Sequence, residues 1–435
     1  MRANKLDGYL GFTTFGESHG PAMGLVIEDV KPGISFPYDE IKTALFARKG
    51  GKNFTATSRN EEDKFEVLSG VFQGKTTGMP ICIVIFNKNH QSKDYENIAN
   101  IFRPGHADFS YFKKFKIYDY RGGGRSSGRE TISRVAASEM VNHLLKGIEL
   151  IAYPIRIGKF IPNKISYSFL KTNYLKWGDE NNYDELIRYL EKIKAEKDSV
   201  GSIIRFEIRN VPSGLGDPVF EKLEANIAKA ILSIGSVKGI QFGAGFSLGK
   251  MKGSEANDEI KDGKFLTNNN GGILGGISTG QTIVFDFVSK PVPSIGKVQN
   301  TIDIEGENRE IKITGRHDLV LTSRIIPVAI AMIKLVLSDA ISYQKLIKNE
   351  KNTLNDFREQ LEKIDEDILI AIARRNEISK QIGKFKKENK IGIVDSKRET
   401  EILNLLKNKA LNLKINPKII SNIWKEIFEE SKRQQ

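Results

Sequence analysis

The residues best suited to chemistry sit in Arg121-Gly-Gly-Gly-Arg-Ser-Ser-Gly-Arg-Glu130, where arginines recur every fourth position among glycines and serines. Glycine lets backbone approach a ligand closely and adopt positive φ. Arginine forks grip phosphate or carboxylate at two points. A helix-compatible run follows (Glu130–Met140), and the N–H groups at a helix start favour anions. The stretch reads as a pocket for a compact polyanion. A flexible basic loop is the plainer alternative. An RNA-binding arginine-glycine segment is a weaker one, because a single unit is not an array.

Histidine is the side chain that titrates near neutral pH, and the chain has only five. Three lie beside glycine, arginine or aspartate: His19 in Gly16-Glu-Ser-His-Gly20, His106 in Arg103-Pro-Gly-His-Ala-Asp108, and His317 in Gly315-Arg-His-Asp318. Loop histidines in such company are candidate proton donors. His90 and His143 lack it and read as structural or surface residues. A second basic, glycine-interrupted loop runs from Arg48 to Arg59, either a solvated loop or a lid that adds charge over an anion.

These loops need strands and helices to hold them. Gly11–Gly16, residues 22–30 and residues 64–72 alternate like strands, and Met79–Phe86 is continuously apolar, as in a strand covered on both sides. Tyr38–Phe46 reads as a helix. Beyond residue 150 the pattern repeats: strand Ile203–Ile208, a glycine-rich turn, helix Phe220–Ile234, a strand near 239–248, the glycine-dense loop Asn268–Gly280, strand Thr282–Val288 and helix Ile325–Leu346. No G-x-G-x-x-G lies between a strand and a helix, so a dinucleotide-binding domain is not expected. Strands outnumber helices, which points to α+β layers rather than a doubly wound sheet. The polar run 348–355 reads as a linker between domains at 1–347 and 356–435.

The totals fit an ordinary globular enzyme. Of 435 residues, 39% are apolar and 28% charged. The net charge of +13 suits a small anionic substrate as well as nucleic acid, and the lysines are spread along the chain rather than in a block. No apolar run approaches the roughly 18–20 residues of a membrane helix, and the first residues lack the apolar core of a signal peptide. The single Cys82 permits neither an internal disulfide nor a cysteine metal cluster. No metal, membrane or nucleic acid is expected, and a cytoplasmic location is.

The last 80 residues read differently. Leu361, Ile364, Ile368, Ala371, Arg375, Ile378, Ile382 and Phe385 form a heptad seam. Arg375 is costly there unless an anion meets it. Lys386 falls on nearly the same face, whereas Arg358 falls roughly 100° away, so Arg358 suits a pocket in a partner chain. Asp395-Ser-Lys-Arg-Glu399 starts a second helix, and Asn416-Pro417 caps a third. A coiled-coil dimerisation tail is the alternative.

The four motifs around His19, His106, Arg121–Thr131 and His317 together resemble the chorismate synthase family over about residues 1–345. The resemblance implies a β-α-β-α sandwich, usually tetrameric. The implied reaction is elimination of phosphate from 5-enolpyruvylshikimate-3-phosphate to give chorismate, a carbon–oxygen lyase step that requires reduced FMN without net redox change. It makes His19 and His106 the proton donors, with Ser18 and Asp318 relaying a proton at the flavin. Arg125, Ser126, Ser127, Gly235, Ser236, Gly275, Lys290, Pro291, Val292, Pro293, Ser294 and Arg316 match flavin-binding positions. Arg48, Arg129 and Arg134 match basic positions near the substrate or a nucleotide reductant such as NADPH. Phe54 stands where the family carries a second basic residue, and Lys52 is the nearest substitute.

Residues 356–435 are similar to the all-helical class of chorismate mutase, an isomerase built as a small three-helix domain that is expected to be dimeric. Arg358, Arg375, Lys386, Asp395, Arg398, Glu399 and Gln435 match its substrate contacts. Arginines would take the two carboxylates, Lys386 and Gln435 the ether oxygen, and Asp395 with Glu399 the hydroxyl. The expectation is a bifunctional shikimate-pathway enzyme of small-molecule substrates. The alternative is a synthase whose tail only dimerises or regulates.

Overall fold

The computed structural model describes residues 3–6, 8–49, 63–87, 99–313, 318–347, 354–392, 395–413 and 415–434, with backbone alone at 354–357, 359, 360, 363, 366 and 367. The chain divides into two compact units, Met1–Lys348 and Asn349–Gln435.

Among the described residues the first unit holds two larger antiparallel sheets and several two-stranded hairpins. One contains β1 (Lys5–Leu6), β2 (Phe12–Gly16), β3 (Ala22–Ile27), β4 (Phe65–Ser69) and β5 (Ile81–Phe86), in the order β1-β2-β3-β5-β4. The other contains β6 (Glu149–Ile157), β7 (Ser202–Arg209), β8 (Val237–Phe242) and β9 (Ile283–Ser289), in the order β8-β9-β7-β6. Helices α1 (Tyr38–Arg48), α2 (Asp108–Phe115), α3 (Thr131–Met140), α4 (Tyr183–Ala195), α5 (Leu223–Leu232) and α6 (Thr322–Ile347) complete it, with a hairpin of β10 (Val298–Ile302) and β11 (Asn308–Lys312). Helix α3 packs on β3 and α6, and α6 packs on β6 and β7, so helices are layered between the sheets.

The period-two rule explains the layering. In β7, Ile204, Phe206 and Ile208 are fully buried while Arg205, Glu207 and Arg209 point the other way. Phe206 stacks on its cross-strand partner Phe285 with ring centroids 5.0 Å apart. In the first sheet Met23, Leu25, Ile27, Ile81, Ile83 and Ile85 face the same core. On the outward face of the second sheet the buried Glu207 accepts from Tyr153 (2.5 Å), Tyr167 (2.9 Å) and Arg209 (2.6 Å).

Helix α6 corrects the expectation that no apolar run is long enough for a membrane. An 18-residue window of it has mean hydropathy 2.0, enough by length and composition to cross one. That window is 67% buried inside the unit, so here it serves as the core helix. A smaller core gathers Trp177, Leu186, Leu190 and Val200 against Leu319 and Val320. Val200 N–H donates to Leu319 O (3.0 Å) and Ser199 Oγ to Val292 O (2.7 Å), so this segment braces two loops at once.

In the second unit α7 (Leu354–Glu388), α8 (Ser396–Asn412) and α9 (Pro417–Gln434) form a helical module. Asp395 caps α8 by accepting from Arg398 N–H (2.9 Å), and Asn416 Oδ1 accepts from Lys418 N–H (3.0 Å) at the start of α9. Ser379 of α7 is buried toward α9, whereas Leu361, Ile364, Ile368, Ile378, Ile382 and Phe385 of the heptad seam are each at least 42% exposed.

Candidate active site

The arginine-glycine stretch is a built structure rather than a loose loop. It folds as two 3-10 turns, Gly124–Ser126 and Gly128–Glu130, and runs directly into α3. Gly122, Gly123 and Gly124 all have positive φ. Ser126 Oγ donates to Gly123 O (2.7 Å), and Ser127 Oγ accepts from Arg129 N–H (3.4 Å).

Both histidine loops meet this stretch. The tip of the β2–β3 hairpin carries Ser18 and His19, with Ser18 Oγ 3.1 Å from His19 Nδ1. A Cβ added at Gly122 would lie 2.4 Å from His19 Cε1, so the imidazole rests on bare backbone. At Gly123 the corresponding point is 3.9 Å from the Arg103 guanidinium, three residues before His106. Arg103 and Asp108 form a buried two-point ion pair (2.7 and 2.8 Å) that closes the His106 turn. His106 Nε2 lies 2.9 Å from Ser294 Oγ, and Lys290 Nζ donates to Gly105 O (2.6 Å). A cleft of about 380 Å³ opens beside this loop, lined by Arg103, His106, Phe109 and Thr301 among others.

The remaining expected residues divide. Ser236 Oγ lies 3.0 Å from Ser289 Oγ, and its carbonyl accepts from Lys290 N–H (3.0 Å), so Gly235, Ser236 and Lys290–Ser294 join the His106 loop. Gly275 lies at the turn of a hairpin whose next residue, Gly276, packs against Lys222 just before α5, and Gly235 and Ser236 follow the end of that helix. Arg125 turns inward to β2, donating to Thr14 Oγ1 (2.6 Å), Asn4 Oδ1 (3.1 Å) and Gly16 O (3.3 Å).

Arg48 reaches Thr131 Oγ1 (3.2 Å), and Arg129 binds Asn87 Oδ1 (2.7 Å) and Asp63 (3.2 Å). Arg134 is held by Glu130 (2.7 Å) and Ser233 Oγ (2.6 Å) and clamps α3 to α5. Asp318 accepts from Arg324 Nη1 (2.6 Å), and Arg324 Nε donates to Lys49 O (3.3 Å). Arg316, His317, Lys52, Phe54, His90 and Gln435 lie outside the described residues. Sequence reasoning missed Asn87 and Thr14, which hold Arg129 and Arg125.

Electrostatics follow burial. Glu17, beside His19, has its pKa raised by burial and by Asp119, against the pull of Arg125. Lys290 is pushed below the usual lysine range by burial and by Lys238.

In the second unit Arg375 donates to Ser431 Oγ and to Ile427 O (3.4 Å), and its guanidinium lies 5.6 Å from the Phe428 ring centroid. Burial lowers its pKa, the direction expected of a cation short of an anion. Glu399 meets Lys432 (3.2 Å), the neighbour of Ser431, so Arg375 and Glu399 converge on the last turns of α9. Arg358 is exposed, and Arg398 pairs with Glu401 on the surface. A cleft of about 500 Å³ lined by Ile370, Arg374, Glu377 and Gln434 among others takes in neither Arg375 nor Glu399. Ser431 is a further residue that the sequence did not flag.

Comparison with known proteins identifies the family of each unit. A family model described as chorismate synthase matches residues 10–342, and one described as chorismate mutase type II matches residues 357–435. The chain is 43% identical over 352 residues to chorismate synthase of Syntrophus aciditrophicus, covering 80% of this chain and 99% of the relative. It is 45% identical over 353 residues to chorismate synthase of Methanocaldococcus jannaschii, covering 75% and 93%. A crystal structure of chorismate synthase matches with TM-score 0.61 at 26% identity, covering 83% of this chain and 98% of that one. The chain belongs to the chorismate synthase family over residues 10–342 and carries a chorismate mutase type II domain at residues 357–435 of the same polypeptide.

Proposed function

We propose that the chain is bifunctional, eliminating phosphate from 5-enolpyruvylshikimate-3-phosphate to give chorismate with reduced FMN, then rearranging chorismate to prephenate. One observation carries the reading: the His19 and His106 loops meet neighbouring glycines of the same arginine-rich stretch. Domains at 1–347 and 356–435, joined by 348–355, would divide the two activities.

The residues around Ser236 and Lys290 suit a flat anionic cofactor. A Cβ at Gly235 would meet nothing within 4 Å, leaving open ground beside the backbone. Lys238 and Lys290 sit close enough to depress the Lys290 pKa, a charge pair that favours phosphate. Gly235, Ser236, Lys290–Ser294, Arg125 and Arg316 would hold FMN, whose reduced form supplies transient electron density. Ser126, Ser127 and Gly275 belong to the same proposal. Gly275 would touch a separate part of the cofactor or a separate copy.

His106, oriented by Ser294, donates a proton to the departing phosphate. His19, oriented by Ser18 at Nδ1, donates at the cofactor side. Asp318, held by Arg324, completes the proton path. Arg48, Arg129 and Arg134 position the substrate, and Arg48 and Arg129 would also receive a nucleotide reductant such as NADPH. Charge set in place before the reaction stabilises the developing phosphate dianion.

In the mutase domain Arg375 takes one carboxylate and Arg358 of a second copy the other. Lys386 and Gln435 meet the ether oxygen, Asp395 and Glu399 meet the hydroxyl, and Arg398 adds charge. The exposed seam on α7 supports dimerisation of this domain, because an apolar stripe of that length is seldom left to water. A tetramer of the whole chain and a cytoplasmic location complete the proposal, and membership of the chorismate synthase family supports both.

The test is anaerobic incubation of the full chain with reduced FMN and the phosphorylated substrate. Phosphate release with prephenate as end product is expected, and Arg375→Ala should stop at chorismate with at least about 100-fold less prephenate. Absence of phosphate release refutes the synthase chemistry. Prephenate formation at the wild-type rate by Arg375→Ala refutes the mutase assignment.

A further inference from the structure

The residue that bonds to the His19 tip comes from the end of another strand. Asn87 directly follows β5, and its Nδ2 donates to two carbonyls of the β2–β3 turn, Glu17 O (3.0 Å) and Gly20 O (2.9 Å). These carbonyls bracket Ser18 and His19. Asn87 Oδ1 accepts from Arg129 Nε (2.7 Å), and Arg129 also binds the buried Asp63 (3.2 Å). The amide orientation follows from chemistry alone, because guanidinium can only donate and carbonyl oxygen can only accept. All three hydrogen-bonding capacities that face protein are thus used. Two backbone bonds also close the turn, Gly20 N–H to Glu17 O (3.0 Å) and Asn87 N–H to Pro21 O (3.0 Å).

We propose that Asn87 is a positioning residue of the synthase site, a clamp that holds the Glu17–Gly20 turn and ties its geometry to Arg129. A hairpin tip is ordinarily the least constrained part of a sheet, and a proton donor there needs a supporting shell. Asn87 supplies that shell from β5, across the end of β3. It also means that Arg129 and the His19 turn move together, so contact of an anion with Arg129 would be felt at His19.

This rests on the proposed role of His19, and the test separates the two. The full chain is compared with Asn87→Ala and Asn87→Asp. The aspartate keeps the volume and a partner for Arg129 but loses both donors to the turn. Each variant should lower synthase kcat by about 10- to 100-fold, the scale for a catalytic group displaced by about 1 Å. Asn87→Asp should leave KM for the phosphorylated substrate within about threefold. In chains labelled with ¹⁵N-histidine, the His19 signals should shift and titrate at a different pH in both variants, with signals assigned through His19→Ala.

If Asn87→Asp retains wild-type kcat while Asn87→Ala does not, Asn87 acts only through Arg129 and the clamp is overturned. Unchanged His19 signals in both variants overturn it whether or not His19 is catalytic. Full activity of His19→Ala would instead remove the role of His19 on which the proposal stands.

Discussion

Gly122→Ala tests the contact on which the synthase site is built. The added methyl would sit 2.4 Å from His19 Cε1 and 3.0 Å from Nδ1, about 1 Å short of ordinary contact. Gly122 also has φ of +110°, where an alanine is strained by about 1–3 kcal/mol. The ring, at the tip of a hairpin, gives way more cheaply than the turn, so the imidazole should move by about that 1 Å. Displacement on that scale costs on the order of 100-fold in rate. Gly128→Ala is the control, because a Cβ there meets nothing within 4 Å and its φ is not positive. Steady-state phosphate release with reduced FMN, alongside thermal melts, should show Gly122→Ala about 100-fold slower than Gly128→Ala, with a loss of a few kcal/mol at most. Equal rates for the two variants would mean that the His19 position does not matter to the chemistry, and the reasoning would fail.

The Arg103–Asp108 pair should carry a large stability effect, since both side chains are under 10% exposed. Asp108→Asn leaves a buried guanidinium without its charge partner and should destabilise by about 3–5 kcal/mol in denaturant melts; a change below 1 kcal/mol would contradict the buried pair. Glu207 is pushed up by burial, but hydrogen bonds from Tyr153, Arg209 and Tyr167 outweigh that and hold its pKa below the usual glutamate value. A depressed carboxylate pKa contributes stability above the unfolded value near 4.3 and loses it as pH falls through the folded pKa. Glu207→Gln should therefore be destabilised at pH 7 and should approach the wild type in melts taken below about pH 4; a gap that widens on acidification would refute the sign.

Much of this was legible because glycine and histidine punctuate the chain where the fold turns. The His19 and His106 loops and the turns before α3 all stand at glycine breaks. Strand and helix types came through wherever one face was buried, as in β7 with its alternation of Ile204, Phe206 and Ile208. The strand read near 239–248 was too long: Val237–Phe242 is strand, but Gly245–Lys250 is a 3-10 turn whose local pattern is equally apolar. Helix α6 was legible as a helix, but its apolar length was not, because Arg324, Lys334 and Asp339 interrupt the run, and their partners Asp318, Glu139 and Leu10 N–H lie outside the helix. Asn87 had no signal at all. Its three bonds span 42, 67 and 70 residues, and no local pattern encodes them. Arg375 was legible as the wrong residue in a seam, but Ser431 was not, since a serine in an amphipathic helix is unremarked.

The net charge of +13 does not measure the charge that a substrate would meet. Arg103, Arg129, Arg134 and Arg324 each face a carboxylate, respectively Asp108, Asp63, Glu130 and Asp318. Such pairs fix geometry more than they project field, because each charge is largely cancelled a few ångströms away. Lys290 differs. Burial and the neighbouring Lys238 both disfavour its protonated form, so the local potential there is positive. An anion near the two ammonium groups would oppose that bias and favour the protonated form of Lys290. The same ammonium is bonded to Gly105 O, next to His106. The positive potential at Lys290 and the backbone of the His106 loop therefore share one side chain.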